Sequence, residues 1–135
     1  MILFKKIRWK NFLSTGDRWT EVELDKEGTV LIVGTNGAGK STVLDALCFV
    51  LFNKPYRKIT KSQLINTTNE KGTLVEIEFS IGTKKYLVRR GIKPNIFDIE
   101  IDGEMRNKEA DDRINQKILE EHIIKLNYKS FTQIV

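Results

Sequence analysis

The sequence contains the glycine-rich stretch Gly34-Thr35-Asn36-Gly37-Ala38-Gly39-Lys40-Ser41-Thr42. It fits the pattern G-x-x-x-x-G-K-[ST], in which glycines let the backbone approach phosphate oxygens while successive N–H groups point into one concavity. The β-branched, apolar run at residues 29–33 is typical of a buried parallel strand, and the apolar residues after the motif predict a buried helix at about 40–52. Strand, glycine-rich loop and helix stand in the order that a phosphate-binding loop requires.

The motif assigns roles to individual side chains. Lys40 is expected to reach the β- and γ-phosphates, and the Ser41 hydroxyl to ligate a Mg²⁺ ion that bridges them. The partial positive charge of the helix N-terminus favours bound phosphate further. The residues predicted to bind the nucleotide here are Gly34, Asn36, Gly37, Ala38, Gly39, Lys40, Ser41 and Thr42.

The composition is that of an ordinary globular chain. Its 135 residues are 40% apolar and 30% charged, which suits one domain, or part of one, with a real core. No apolar run is long enough to span a bilayer, and the N-terminal residues do not form a signal peptide, so we expect no membrane partner. The single cysteine, Cys48, is expected in the core of the apolar helix, and the lone His122 at the surface or at a helix cap.

The hydrophobic periods outline the remaining elements. Strands are predicted near 2–12 and 19–24, a short helical turn near 61–65, period-two strands at 75–81, 84–90 and 97–101, and a helix at about 110–124. In that helix Ile114, Ile118 and the pair Ile123 and Ile124 make an apolar stripe. The predicted fold is α/β: a mixed sheet around a buried helix, an antiparallel β meander at about 73–106, and a helical tail at about 110–135.

The net charge of +5 is spread unevenly along the chain. Several basic clusters on one side of a fold would form a surface for a polyanion, and DNA is the natural candidate for a protein that also binds nucleotide. The residues predicted to contact DNA are Lys85, Arg89 and Lys93. The alternative is that these cations pair with Glu76, Glu78, Asp98 and Glu100 on neighbouring strands.

Several blocks besides the phosphate loop carry a resemblance to a known family. They are Trp9-Lys10-Asn11-Phe12-Leu13-Ser14, Leu44-Asp45-Ala46-Leu47, Leu51-Phe52-Asn53-Lys54-Pro55, Gln63-Leu64-Ile65-Asn66-Thr67-Thr68, Arg89-Arg90-Gly91 and Lys93-Pro94-Asn95. With these blocks the chain resembles the ABC-type ATPase head of the SMC-like DNA repair proteins. It looks most like the SbcC-like group and its phage subgroup, the large subunits of the T-even-type recombination endonucleases.

The resemblance implies the N-terminal lobe of an ATPase that acts with a nuclease subunit at DNA ends, in bacterial or phage-infected host cytoplasm. Proteins of this family complete the head with a C-terminal lobe that follows a long coiled coil, and two heads enclose ATP and Mg²⁺. The signature motif, the acidic Walker B strand and the water-activating residue belong to that C-terminal lobe, and none is visible at residues 1–135. We therefore expect this lobe alone to bind ATP without efficient hydrolysis.

The same resemblance implies further site residues. Ile65, Asn66 and Thr67 should lie beside the base and ribose, although a plain turn would also explain Asn66 and Thr67. The family carries an arginine to the nucleotide where this chain has Leu13, so that phosphate contact is in doubt. Gln133 is a candidate for the magnesium-sensing glutamine, but the family's spacing puts that glutamine a few residues beyond Val135.

Three other functions fit parts of the sequence. A RecF-like recombination ATPase shares the Asn-Phe opening and the phosphate loop but lacks a long coiled coil. An ABC transporter ATPase would need a membrane partner and an aromatic residue to stack on adenine, for which Trp19 is the candidate. A DNA-binding or structural β-domain with a vestigial loop would not bind nucleotide at all.

Overall fold

The computed structural model describes residues 2–13, 16–24, 37–66, 68–105 and 111–134, with the backbone alone at 37–41 and 134. The strand predicted at residues 29–33 lies outside these ranges. The described strands form one antiparallel sheet in the order β2-β1-β3-β4-β5-β6. Their bounds are β1 Ile2–Lys10, β2 Thr20–Glu23, β3 Thr73–Ile81, β4 Lys84–Ile92, β5 Ile96–Ile101 and β6 Glu104–Met105.

Period-two alternation gives this sheet an apolar inner face. One row of that face runs across four strands, with Ile7 opposite Ile77, Ile77 opposite Val88, and Val88 opposite Ile99. All four side chains are buried, and each such burial is worth about 1.5–3 kcal/mol relative to exposure. The row fixes which face of every strand turns inward, because a slip of one residue would expose it.

The inner face packs on helix α1, Gly37–Phe52. Every side chain from Val43 to Phe52 is buried, as the nearly continuous apolar sequence predicts. The helix ends at Asn53, which has a left-handed φ of 63° and donates its N–H to the Phe49 carbonyl at 2.8 Å. It begins three residues before the predicted Lys40 because Gly37, Ala38 and Gly39 form its first turn.

The C-terminal part contains three helical segments, of which the first two are consecutive and together match the helix predicted at about 110–124. They are α2 Asp112–Ile118, a π-helical turn Leu119–Ile123, and α3 Tyr128–Ile134. The apolar stripe is wrong at its start, since Ile114 is 52% exposed and Ile118 39% exposed, while Leu119 and Ile124 are buried. The wider π turn changes the phase of the side chains, so an α-helical period does not extend from Ile114 to Ile124.

The α/β fold class with an antiparallel β-subdomain is confirmed by this arrangement. The described strands pair only antiparallel. A mixed sheet would also need a parallel strand, which the sequence predicts at residues 29–33, and this part stays a prediction. Across the described ranges, no helix combines the length and apolar character needed to cross a membrane.

Candidate nucleotide-binding site

The predicted phosphate loop enters the described structure at Gly37, the first residue of α1. The first four N–H groups of any helix lack an intrahelical acceptor, and they are the groups that bind an anion at a helix N-terminus. In α1 these groups belong to Gly37, Ala38, Gly39 and Lys40, so the helix begins inside the motif. Ser41 follows in the same turn, and Thr42 is half-buried. Gly34 and Asn36 lie outside the described residues.

Asp45, on the same helix, has a fully buried carboxylate. Its Oδ1 accepts the backbone N–H groups of Tyr56 and Arg57, each at 2.9 Å. Its Oδ2 accepts Nε of Arg57 at 2.6 Å. Three donors therefore compensate for the burial of one charge. The sequence signal for this contact is a lone carboxylate among apolar residues on a buried helix.

The C-terminal turn of α1 is capped by side chains from two other elements. Arg90 of β4 donates from Nε to the Val50 carbonyl at 3.1 Å, and Gln116 of α2 donates to the Leu51 carbonyl at 2.8 Å. The Arg90 guanidinium also donates to Gln116 at 2.5 Å and lies 3.7 Å from the Phe97 ring centre. Burial lowers the pKa of Arg90 to about 9, so it remains a cation at neutral pH.

Asn11 connects three separate segments of the chain. It is buried and has a left-handed φ of 49°. Its side-chain Nδ2 donates to Asp17 at 3.0 Å, and its Oδ1 accepts Nδ2 of Asn69 at 2.6 Å. Its carbonyl accepts the N–H of Asn66 at 3.1 Å and the hydroxyl of Thr73 at 2.6 Å. The Asn-Phe opening of the family block therefore has a structural role here.

Asn66 is likewise saturated by protein contacts. Its Nδ2 donates to the Leu13 carbonyl at 2.8 Å, and its Oδ1 accepts the N–H groups of Thr68 and Asn69 at 3.1 and 3.0 Å. Ile65 forms a β-bridge with Phe12. The side chain of Asn66 is thus committed to the turn, while half-buried Ile65 and Leu13 leave apolar surface beside it. Thr67 lies outside the described residues.

We expect Asn66→Ala to destabilise the fold, because it leaves one buried carbonyl and two N–H groups without their partner. The loss in unfolding free energy should be about 1–3 kcal/mol, measured by urea denaturation. Asn66→Asp is the matched control, since it keeps the acceptor for both N–H groups and should recover part of the loss. An alanine variant as stable as the wild type would show that water replaces these contacts.

The outer face of the sheet carries charges that alternate in sign from strand to strand, and we call this set the charge ladder. Its acidic strands are β2, β3 and β5, and its basic strands are β1 and β4. The members are Glu21 and Glu23 on β2, Lys6 and Arg8 on β1, Glu76 and Glu78 on β3, Arg89 on β4, and Asp98 and Glu100 on β5.

Glu76 is the centre of the charge ladder. Its side chain is 6% exposed and lies between Arg8 and Arg89, each with a guanidinium nitrogen at 2.6 Å. Arg89 also lies 3.4 Å from Asp98 and 3.7 Å from Glu100. Although burial alone would lower the pKa of Arg89, the hydrogen bonds and charges of Glu76 and Asp98 raise it.

These contacts bear on the predicted DNA-binding residues. Arg89 makes the carboxylate pairs of the alternative interpretation, whereas the Lys85 side chain is exposed and has no ion pair with another described residue. Lys93 lies on a different part of the surface, in a cleft of about 390 Å³ that Asn11 and Asp17 also line. The structure therefore does not unite the three residues on one face.

The remaining candidates have the following surroundings. Gln133 is exposed on α3, next to half-buried Thr132. Trp19 lies on the outer face, with the Arg8 guanidinium 4.0 Å and the Lys10 ammonium 5.0 Å from its ring centre.

Burial, followed by the charge of Asp45, raises the pKa of the Cys48 thiol to about 12, so the thiol is neutral and suits the predicted core role. The described residues contain no His, Cys, Asp and Glu cluster able to hold a metal ion.

Comparison with known proteins places this geometry in a family. The AAA domain family matches residues 6–135. Exonuclease subunit 2 of Enterobacteria phage T4 is 44% identical over 130 residues, which are 96% of this chain and 23% of that protein. The DNA double-strand break repair Rad50 ATPase of Sulfolobus acidocaldarius is 37% identical over 92 residues, which are 67% of this chain and 10% of that protein.

A solved structure has the same fold. The Smc head domain of Pyrococcus furiosus superposes with a TM-score of 0.63 at 22% identity, over 97% of this chain and 35% of that one. The chain thus spans 23% of the phage relative, 10% of the Rad50 ATPase and 35% of the Smc head chain. The family match, these relatives and the shared fold agree with the blocks quoted from the sequence. The chain therefore belongs to the AAA domain family, as an N-terminal lobe of the SbcC-like and SMC-like type.

Proposed function

We propose that this chain binds Mg·ATP and is the N-terminal lobe of an ATPase in DNA double-strand-break repair or recombination. The observation that supports this most directly is that α1 begins inside the glycine-rich motif, at Gly37. Its first-turn N–H groups are then available to phosphate, and its buried remainder anchors that turn to the sheet. Relatives named as an exonuclease subunit and as Rad50 ATPases support the biological setting.

We further infer that residues 1–135 form one lobe of a larger head. A C-terminal lobe, a second head and a nuclease subunit would be the partners of the complete protein. Hydrolysis would need the water-activating residue of the C-terminal lobe, because positioning of water and charge supplies most of the catalysis in phosphoryl transfer. Within this proposal the phosphates and Mg²⁺ are held by residues 34–42, and residues 65–67 border the adenosine.

A nucleotide titration tests the proposal. We expect the wild-type protein to bind Mg·ATP, and Ser41→Ala to weaken binding mainly when Mg²⁺ is present, because the lost hydroxyl is a proposed ligand of the metal. Isothermal calorimetry with Mg²⁺ and with EDTA separates the two conditions. Equal losses in both would argue against a metal-ligand role for Ser41, and absence of binding by the wild type would refute the function.

DNA contact by Lys85, Arg89 and Lys93 stays a prediction, which a salt titration of duplex DNA binding tests. If Lys85 and Arg89 touch phosphates, their double replacement by glutamine lowers the salt slope by roughly 0.9 per contact. Replacing exposed Arg113 and Lys117 of α2 removes the same charge elsewhere and is the matched control. A double variant with the affinity and slope of the wild type would make the charge ladder purely structural.

A further inference from the structure

Outside the phosphate loop, Asp45 links helix α1 to the chain segment that follows it. Its carboxylate is fully buried, and all three of its donors belong to consecutive residues, Tyr56 and Arg57. The Arg57 side chain is 44% exposed, so only its inner edge is used in the pair. Because Asp45 lies on the helix that carries Lys40 and Ser41, this contact fixes the chain after α1 to the phosphate-binding helix itself.

The turn formed by residues 53–57 also contacts α3. The Tyr128 hydroxyl donates to the Pro55 carbonyl at 2.8 Å, and the Lys54 ammonium lies 4.6 Å from the centre of the Tyr128 ring. Residues 53–57 therefore make contacts with both α1 and α3. Because these residues contact both helices, their position relative to α1 fixes where the following chain begins.

Hydrogen bonds connect most of the segment between Arg57 and Ile65. Ile59 donates its N–H to the Arg57 carbonyl at 2.8 Å, and Thr60 donates its N–H to Gln63 Oε1 at 2.7 Å. This capping box starts the 3₁₀ turn Lys61–Leu64. Leu64 is fully buried, and its carbonyl accepts the Leu13 N–H at 2.7 Å.

We propose that the Asp45–Arg57 pair is a positioning device that sets where Ile65 and Asn66 lie relative to the phosphate-binding helix. This inference rests on the proposed function, in which these residues border the adenosine. The pair touches neither phosphate nor base. It determines how well the two halves of the nucleotide site fit one ligand, so it governs the share of the affinity that comes from adenosine.

The test compares Arg57→Gln with Lys58→Gln in the full-length protein. Both variants remove one positive charge from neighbouring exposed positions, so their long-range effect on a polyanionic ligand is the same. Only Arg57→Gln loses the contact with Asp45, and it keeps the backbone N–H bond that helps to satisfy the buried carboxylate. Circular dichroism and urea denaturation establish that both variants are folded. Arg57→Lys keeps the charge and is the conservative variant.

Two ligands are titrated, Mg·ATP and Mg·tripolyphosphate, which share the phosphates and differ in the adenosine. We expect Arg57→Gln to weaken ATP by about threefold to tenfold, the loss of roughly one net hydrogen bond, and to leave tripolyphosphate within about twofold. Lys58→Gln should match the wild type for both ligands, and Arg57→Lys should recover part of the ATP affinity.

Other results overturn the inference in distinguishable ways. Equal losses for ATP and tripolyphosphate in Arg57→Gln alone would mean that Arg57 affects the phosphate site, directly or through α1. Unchanged ATP affinity would mean that the pair does not position Ile65 and Asn66. A wild type that binds neither ligand would refute the proposed function as well, whereas the first two results leave that function standing.

Discussion

Lys40→Ala is expected to abolish measurable Mg·ATP binding while the protein stays folded. Under the proposed function the substitution removes a charge-assisted contact to the β- and γ-phosphates, and hydrogen bonds to charged groups are worth about 1.5–3 kcal/mol. Each such bond lost corresponds to a drop in affinity of roughly ten- to 150-fold, and the loss of contacts to two phosphates multiplies these factors. Calorimetry measures the binding, and urea denaturation should give the midpoint of the wild type.

Lys117→Ala is the matched control for Lys40→Ala, since it removes one exposed cation from α2. It should bind Mg·ATP as the wild type does. If Lys40→Ala is folded and keeps its affinity, the glycine-rich motif does not hold the nucleotide, and the β-domain alternative with a vestigial loop gains support.

Arg90→Ala is expected to cause a large loss of stability, about 2–3 kcal/mol. Arg90 is 3% exposed and supplies hydrogen bonds to Val50 and Gln116, and removing it leaves the buried Val50 carbonyl and the half-buried Gln116 side chain without their donor. The contact with Phe97 adds about 0.5–2 kcal/mol. Relief of the cost of burying a guanidinium offsets part of the total. Urea denaturation gives the change in unfolding free energy.

Lys84→Ala provides the comparison for Arg90→Ala on the same strand. Lys84 is exposed, so its replacement should change the unfolding free energy by no more than about 0.5 kcal/mol. If Arg90→Ala is as stable as Lys84→Ala, the contacts of the guanidinium do no more than balance the cost of burying it. The C-terminal turn of α1 would then need no cap from β4.

Features encoded by neighbouring residues could be read from the sequence. The glycine motif identifies the loop before α1, and the alternation of Val75, Ile77 and Phe79 with polar residues identifies β3 and its inward face. The sequence predicts the start of α1 three residues too late, because glycine has a low helix propensity and yet forms the first turn here. Local sequence patterns therefore predict the presence of a helix or strand better than they predict its first and last residues.

Contacts between distant residues could not be read in this way. Arg8 and Glu76 are separated by 68 positions, and their pairing follows only from the register of β1 against β3. The sequence likewise does not reveal the contacts of Asp45, because its partners lie beyond the end of its own helix. The sequence allows Asn66 either to border the nucleotide or to form a plain turn, and its side-chain contacts with Leu13 and Thr68 are those of the turn.

The charge ladder has a consequence for how the strands choose their neighbours. Its sign is uniform within a strand and alternates between strands, so an acidic strand such as β3 is attracted to β1 or β4 and repelled by β2 or β5. A slip of two residues would still set acid against base, so these charges select strand order and leave register to the turns and the core. Among the described strands, β2 carries Glu21 and Glu23 at one side of the sheet, and β5 carries Asp98 and Glu100 near the other. Two copies approaching side by side would bring carboxylates together, which opposes the edge-to-edge association that leads to aggregation.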